Sequence, residues 1–355
     1  MTRIDQLTRQ ASEWLRGQGP MADVVISSRI RLARNLAGFP FLSKCDPEQR
    51  RQIQKLLAKT IKQINLGQEV FFFDIERADE LDRQILVERH LISRQHAEAE
   101  GSRAVAVSTT ETVALMINEE DHLRIQVLRS GLQLDQTWQE INRIDDLLGA
   151  HLDYAFHRRF GYLTACPTNV GTGIRVSVML HLPALKLAGQ IERVFQAARD
   201  MRLAIRGLYG EGTEAVGDFY QVSNQITLGK SEQEIIDEFK HVVIPKIIDY
   251  EQRTRQAMLK QKRIALDDKI WRAYGMLQYA RSVSSEETLF LLSHLRMGVN
   301  LGRIDRLNLQ TVNELFLTTQ PAHLQKLRGQ RLDGQQRDVV RAEYIRSRLA
   351  GPSDN

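Results

Sequence analysis

The feature that most constrains the fold is a change in the character of the chain near residue 255. Before this point, strand-like apolar segments alternate with amphipathic helical ones. After it, charged residues and glutamines surround leucines at helical spacing, and no segment resembles a strand. This pattern predicts an α+β domain at 23–254 and an all-helical C-terminal domain at 255–355. Residues 1–22 are predicted to form a short amphipathic helical segment that ends at 17–20.

Local patterns assign the elements of the α+β domain. Strands are predicted at 24–32, 104–108, 113–118, 123–128, 174–182 and 219–222. Helices are predicted at 46–64, 138–152, 190–203 and 231–250. Ser231 and Glu234 fit a capping box at the start of the last of these helices.

Composition restricts the functions that the chain can have. Its 355 residues exceed a single core, and 42% hydrophobic with 26% charged residues is typical of a globular protein. No apolar run is long enough to cross a membrane, and the N-terminus lacks the apolar core of a signal peptide. Two cysteines, Cys45 and Cys166, give no disulfide framework, so a cytoplasmic location is predicted. The net charge of +5 is not gathered into one tail, which disfavours direct nucleic-acid binding and favours a small polyanionic ligand or an acidic partner.

One motif combines a cysteine with a phosphate-like turn. Residues 166–173 read Cys-Pro-Thr-Asn-Val-Gly-Thr-Gly, and the strand-like Ile-Arg-Val-Ser-Val-Met follows at 174–179. Small hydroxyl residues, exposed backbone N–H groups and Arg175 suit a phosphate site next to a reactive thiol. A buried cysteine beside an ordinary turn is the alternative, and it would be favoured if the motif stood alone.

Three further segments carry groups that suit phosphate chemistry. Ser-Ser-Arg-Ile-Arg at 27–31 puts two guanidiniums on one face of a strand, where they can hold phosphate oxygens; a solvated charged face is the alternative. Asn-Glu-Glu-Asp at 118–121 places three acids together, either for a cation or functional need or as an acidic turn. Arg-Gly-Leu-Tyr-Gly-Glu-Gly-Thr-Glu at 206–214 is a glycine-rich loop that permits close approach to a ligand, or a surface loop.

In content and order, these four segments resemble the phosphagen (ATP:guanidino) kinases over residues 23–254. The resemblance implies an antiparallel sheet flanked by helices, with ATP and its Mg²⁺ bound over the sheet and no separate metal site of the protein. The residues that the resemblance assigns to ATP are Ser27, Ser28, Arg29, Ile30, Arg31, His90, Arg124, Arg175, Val176, Ser177, Val178, Met179, Arg206, Gly207, Leu208, Tyr209, Gly210 and Glu211.

Phosphorylation of a guanidinium makes a second demand on the site. The group has a pKa above ~12 and no free lone pair, so it must be oriented and must lose a proton. Two carboxylates can clamp its fork and accept that proton in the transition state. The resemblance assigns this catalytic role to Glu120 and Glu211, and it places Cys166 as a thiolate that orients the guanidinium without forming a bond.

Two departures from the small-substrate members of the family indicate the acceptor. Those members carry an additional helical domain before the Ser-Ser-Arg-Ile-Arg strand, whereas this chain has only residues 1–22 there. An acceptor site that is open on one side suits an arginine side chain on a protein. The string Arg-Asp-Val-Val-Arg-Ala at 337–342 also resembles the protein-arginine kinases of the family, and there it implies an allosteric phosphoarginine pocket formed by Arg337, Asp338 and Arg341. The alternative is a solvated helix that packs Val340, Tyr344, Ile345 and Leu349 inward.

The resemblance also implies a cellular setting. It predicts protein arginine phosphorylation that marks proteins for Clp-dependent degradation in the stress response and quality control. The implied partners are the zinc-containing activator McsA, the Clp unfoldase–protease, the repressor CtsR and a second copy of the chain. Two other functions stay open: a kinase of free arginine or another small guanidine, and a non-catalytic adaptor that reads phosphoarginine.

Overall fold

A computed structural model describes residues 3–208 and 216–350 and contains an eight-stranded antiparallel sheet. Its strand order is β2-β3-β4-β5-β1-β8-β10-β9, and β6 and β7 form a separate two-stranded sheet. The strands are β1 (Val25–Arg34), β2 (Val70–Asp74), β3 (Ala104–Ser108), β4 (Val113–Ile117), β5 (Leu123–Ser130), β6 (Phe156–His157), β7 (Gly161–Tyr162), β8 (Ile174–His181), β9 (Leu203–Arg206) and β10 (Phe219–Asn224).

Helices flank this sheet and make up the whole described C-terminal region. They are α1 (Arg3–Thr8), α2 (Pro47–Gln63), α3 (Glu80–Glu88), α4 (Arg94–Glu98), α5 (Leu134–Gly149), α6 (Pro183–Leu187), α7 (Ile191–Asp200), α8 (Glu232–Glu238), α9 (Ile244–Gln261), α10 (Arg263–Tyr279), α11 (Ser285–Asn300), α12 (Leu309–Thr318), α13 (Pro321–Arg328) and α14 (Gly334–Leu349). The predicted fold class, an antiparallel sheet flanked by helices followed by a helical region, is confirmed.

One face of the sheet supplies the main hydrophobic core. Alternate strand residues such as Ile30, Val176 and Val222 are fully buried there against helices α2, α5, α8 and α9. Side chains alternate between the faces of a strand, so the intervening residues of the same strands point the other way. The opposite face is therefore left for polar groups at the centre of the sheet. A second core joins the end of that face to α10, α11, α12 and α14.

The capping box predicted at Ser231 is confirmed, and a second capping box begins α2. The Ser231 side chain accepts a hydrogen bond from the Glu234 amide, and the Glu234 side chain accepts one from the Ser231 amide. Asp46 and Gln49 form the same reciprocal arrangement at α2. The helix predicted at 231–250 instead continues to Gln261, with a π-helical turn at Phe239–Val243. Pro245 has no N–H for the helical ladder, and a widened turn accommodates this loss.

The prediction of a helical segment over residues 1–22 is wrong for most of its length. Helix α1 ends at Thr8, and only a 3-10 turn follows at Glu13–Leu15. Groups from elsewhere in the fold hold the intervening backbone and side chains instead: Arg89 donates to the Gln10 carbonyl, and Ser12 donates to Glu111. Tertiary contacts therefore outweigh the local helical pattern.

Helix α9 runs through residue 255, so no break in secondary structure marks the predicted domain boundary, which stays a prediction. Across residues 3–208 and 216–350, no helix combines the length and the apolar character that a membrane crossing needs.

Candidate active site

Five arginines lie on the polar face of the central sheet. Arg31 on β1 is directly opposite Arg175 on β8, and Arg29 is opposite Ser177. Arg124 on β5 is opposite Ala33, two residues from Arg31 and therefore on the same face. Strand β10 extends this face, because Gln221 lies between Met179 on β8 and Arg206 on β9. The register thus brings together all five arginines that the sequence assigned to ATP.

Hydroxyl and amide groups hold part of this array. Arg29 donates to the side chain of Gln221 and, at 3.4 Å, to Ser177 Oγ. Arg175 donates to Ser223 Oγ at 3.2 Å. A carboxylate pairs with Arg124, whose Nη1 lies 2.5 Å from Glu119 Oε2. Gln221, Ser223 and Glu119 were not predicted, although the polar residues at alternate positions 221 and 223 of β10 were a usable signal.

Crowding of like charge changes the ionisation of these arginines. Burial lowers the pKa of Arg29 to about 10, and the charges of Arg124, Arg175 and Arg206 contribute to the same shift. Burial, followed by Arg29, Arg124 and Arg175, also lowers the pKa of Arg31 well below its usual range. Within the described residues, the buried Nε of Arg31 has no hydrogen-bond partner. Such a surface favours the binding of a polyanion, which relieves the repulsion between the arginines and accepts hydrogen bonds from their remaining N–H groups.

A small pocket opens beside the arginines. Trp14 and His90 meet edge to face at its wall, with ring centroids 4.4 Å apart. Burial and then nearby arginines lower the pKa of His90 to about 3, so this imidazole is neutral at pH 7. The pocket is lined by Trp14, Ser27, Arg29, His90, Leu128, Ser177, Met179 and Gln221. His90 is therefore beside the arginine face as predicted, whereas the contribution of Trp14 was missed.

The acidic turn lies at the end of β4 and the start of β5. Glu119 is buried, which opposes its ionisation, but Arg124 and the Ser93 hydroxyl at 2.6 Å bring its pKa below the usual value. The Glu120 amide donates to Glu119 Oε2 at 2.9 Å, and the Glu120 side chain is half-buried. Glu119 therefore supports Arg124, while the neighbouring Glu120 stands at the edge of the arginine face.

A direct bond joins the acidic turn to the cysteine loop. Asp121 Oδ1 accepts from the Ala165 amide at 2.7 Å and from Asn35 Nδ2 at 2.6 Å. Ala165 precedes Cys166, and Asp121 follows Glu120. Cys166 is half-buried, with its Sγ 3.0 Å from Thr168 Oγ1. The fold consequently fixes the predicted base and the predicted thiol on two adjoining turns.

The rest of the cysteine loop is fastened to the chain after β10. Thr227 donates to the carbonyls of Thr168 and Val170 at 2.9 and 2.7 Å. Gly171 has φ +114°, and a Cβ at this position would lie 2.6 Å from the Thr227 carbonyl oxygen. Only glycine permits this close approach without movement of the backbone.

Some residues assigned to ATP have side chains on the core side of the sheet and not on its polar face. The side chains of Ile30, Val176 and Val178 point into the main core, because strand residues alternate in direction. Ser28 also lies on that side, where it donates to the Gly131 carbonyl and accepts from the Gln133 amide. The side chains of these four residues therefore lie away from the polar face, and their assignment to ATP stays a prediction for their backbone alone.

The glycine-rich segment is described only in part. Gly207 follows β9, and the side chain of Leu208 packs in the second core. Leu208 is thus a packing residue and not a side-chain contact to a nucleotide. Tyr209, Gly210 and Glu211 lie outside the described residues.

The two arginines of the C-terminal motif at 337–342 lie in different environments. Arg341 is only 1% exposed and donates to the carbonyls of Thr319 and Val283 and to Asp338, all within 2.8 Å. Arg337 instead lines a cleft of about 510 Å³ between α3, α13 and α14. Charged groups of both signs share this cleft: Glu80, Glu88, Arg94, Arg331 and Arg337.

Comparison with known proteins agrees with this geometry. Residues 52–254 match the ATP:guanido phosphotransferase C-terminal catalytic domain. The fold also resembles lombricine kinase, with a TM-score of 0.60 and 26% identity over 70% of this chain and 71% of that one. The duplicated taurocyamine kinase from Schistosoma mansoni matches with a TM-score of 0.59 and 25% identity, covering 73% of this chain and 37% of that one. The chain is an ATP:guanido phosphotransferase.

Relatives that match over nearly their full length show which branch of this family the chain belongs to. Residues 263–355 match the protein-arginine kinase McsB C-terminal domain. A protein-arginine kinase from Halothermothrix orenii is 45% identical over 98% of this chain and 99% of its own length. One from Symbiobacterium thermophilum is 47% identical, with coverage of 97% and 98%. Within the ATP:guanido phosphotransferases, the chain belongs to the protein-arginine kinase family.

Proposed function

We propose that the protein transfers the γ-phosphoryl group of ATP to the guanidinium of arginine side chains in proteins. The observation that carries this proposal is the arginine face: five guanidiniums converge on one side of the sheet, and the buried Arg31 Nε has no acceptor among the described residues. Phosphoryl transfer depends mainly on positioning and charge stabilisation, and this face offers both to a triphosphate. The pocket at Trp14 and His90 would take the base.

The remaining groups suit the acceptor. Glu120 would accept a proton from the guanidinium as the N–P bond forms, together with Glu211, which lies outside the described residues. Cys166, fixed beside the acidic turn through Asp121 and Ala165, would orient the guanidinium. Mg²⁺ bound to ATP would supply further neutralisation of phosphate charge.

Product analysis tests the proposal. The wild-type protein, incubated with ATP, Mg²⁺ and an unfolded arginine-rich protein, is expected to give phosphoarginine that mass spectrometry detects when samples are kept at neutral pH. Glu120→Gln should remove this product while ATP binding persists, since the arginine face is unchanged. Free arginine is the control acceptor, because the rival hypothesis is a kinase of small guanidines. Phosphorylation of free arginine alone, with none of the protein, would refute a protein acceptor.

We also propose that the cleft at Arg337 binds phosphoarginine and stimulates the kinase. Arginines and glutamates face each other across it, so a phosphoryl group and a guanidinium could both find partners. Because Arg341 is engaged with backbone carbonyls, its role there would be to hold Asp338 and the start of α11 in position. Stimulation by added phosphoarginine that survives Arg337→Ala would contradict this assignment.

The cellular role follows the same proposal. Phosphoarginine would mark proteins for Clp-dependent degradation in the cytoplasm, with McsA as activator and CtsR as a regulated partner. Both cysteines are free, in keeping with a reducing compartment. A homodimer would use the exposed apolar side chains on α10, where Ile264 is 87% and Tyr279 72% exposed. Sedimentation of the wild type and of Ile264→Ser/Tyr279→Ser would test that contact.

A further inference from the structure

We propose that the hairpin formed by β6 and β7 (residues 156–162) is the docking surface for the polypeptide that flanks the target arginine, and that it favours acidic flanking residues. The inference rests on the proposed function and adds a substrate preference to it. The hairpin is separate from the main sheet, and its strands pair through Phe156 with Tyr162 and His157 with Gly161.

The tip of the hairpin exposes apolar and basic groups together. Phe156 is 58% and Phe160 42% exposed, which is unusual for rings of this size. His157, Arg158 and Arg159 are all exposed between them. His157 stacks on Phe160 with ring centroids 4.9 Å apart, and the Arg159 guanidinium lies 5.4 Å from the same ring.

This positive charge is not neutralised locally. Within the described residues, neither Arg158 nor Arg159 forms an ion pair with a carboxylate. Many other exposed arginines of the chain do have such a partner, as Arg253 has in Asp249. Two adjacent free guanidiniums beside exposed rings fit acidic and apolar side chains of a bound polypeptide.

The hairpin has a fixed position relative to the acceptor site. Its strand β7 is bonded to the cysteine loop, with Tyr162 and Gly171 exchanging backbone bonds of 2.8 and 3.3 Å. Gly161 has φ +72°, and a Cβ there would come within 2.4 Å of the Gly171 carbonyl oxygen. The buried Arg34 guanidinium lies 3.5 Å from the ring centroid of Tyr162 and is paired with Asp145.

A second anchor is shared with the acidic turn. The Asn35 side chain donates both to the Leu163 carbonyl at 3.0 Å and to Asp121, while its backbone carbonyl accepts from the Ala155 amide at 2.7 Å. The hairpin is therefore tied to both turns that carry Cys166 and Glu120. A free amino acid would not extend beyond those turns, whereas a polypeptide acceptor must leave the site on both sides of its arginine. The hairpin is the exposed element attached at that point.

A charge-swap experiment tests the docking surface. Two peptide series carry one arginine flanked either by aspartates or by lysines, and initial rates are measured for the wild type and for Arg158→Glu/Arg159→Glu. Exposed ion pairs are individually weak, so reversing two charges should raise the KM for acidic peptides on the order of tenfold. The variant should instead prefer the lysine-flanked series, and KM for ATP should stay unchanged. The difference should shrink at high salt because the pairs are exposed.

Two controls make the outcome decisive. Lys59→Glu reverses an exposed charge on α2, away from the hairpin, and should leave the preference as in the wild type. Phe156→Ser/Phe160→Ser keeps the charges and should raise KM for both series. Wild-type activity on the peptides with an unchanged preference in the charge-reversed variant would overturn the docking surface alone. Absence of phosphoarginine from every peptide with the wild type would overturn the proposed function, and the docking surface with it.

Discussion

The contact between α3 and α13 offers a quantitative test of how the helical region is attached. Both oxygens of Glu88 cap the first turn of α13, accepting from the Ala322 and His323 amides at 2.7 and 3.0 Å. Oε2 also lies 2.6 Å from His323 Nδ1. The residue at the helix's own N-cap, Gln320, makes no side-chain cap bond, so the cap comes from another element.

Glu88→Ala should weaken this attachment by about 3 kcal/mol. Loss of a helix cap costs about 1 kcal/mol. The buried donors of His323, which is 1% exposed, would lose their acceptor at a further cost of about 1–3 kcal/mol. Water reaching the site through the adjoining cleft limits the total.

Hydrogen exchange followed by mass spectrometry is the suitable assay, because it reports α13 separately from the rest of a large chain. A weakening of about 3 kcal/mol corresponds to roughly 100-fold faster exchange in peptides that cover α13. Glu80→Ala is the matched control: it is on the same helix and lines the same cleft, but it is exposed. Exchange in α13 that rises by less than about threefold relative to that control would refute the capping argument.

Two further predictions concern charge. Arg31→Gln should weaken ATP binding on the order of tenfold or more, as measured by calorimetry. Thermal stability should rise or hold, because the variant removes a charge that is repelled by Arg29. A loss of stability without a loss of affinity for ATP would contradict this prediction. Burial lowers the pKa of His90 to about 3 and of His96 to about 4 from an ordinary 6.5. The unfolded chain then binds protons that the folded chain does not, so stability should fall below pH 6.5 by about 1.4 kcal/mol per pH unit for each histidine, which urea titrations at pH 7 and 5 would measure.

The sequence predicts which arginines share one face of a single strand, but it does not predict how the strands pair to bring these arginines together. The i, i+2 spacing of Arg29 and Arg31 places both on one face of any strand, whatever its neighbours. Their meeting with Arg175 depends on the register between β1 and β8, which are separated by more than a hundred residues of sequence. Periodicity within one segment carries no information about such pairing.

Long-range packing also explains the errors. Trp14 reaches the pocket because Arg89 and Glu111 hold the backbone and side chains just before it, a contact that no local pattern in the N-terminal segment encodes. The spacing of Arg337 and Arg341 correctly puts them near each other on one helix. It could not show that Arg341 faces inward toward the carbonyls of Thr319 and Val283, because burial depends on what the helix packs against.

Arginine serves two purposes in this chain, and hydrogen bonding separates them. Arg34, Arg89, Arg296 and Arg341 are at most 2% exposed, and each donates to several carboxylate, carbonyl or side-chain acceptors of the fold. These satisfied guanidiniums join elements, as when Arg296 of α11 binds the carbonyls of residues 22 and 23. On the polar face of the sheet, Arg31 is half-buried, its buried Nε lacks a partner in the described structure, and other cations surround it. A buried donor without an acceptor, held among like charges, costs stability unless an anion completes it. This requirement, more than the number of arginines, marks the sheet face as the place where a polyphosphate binds.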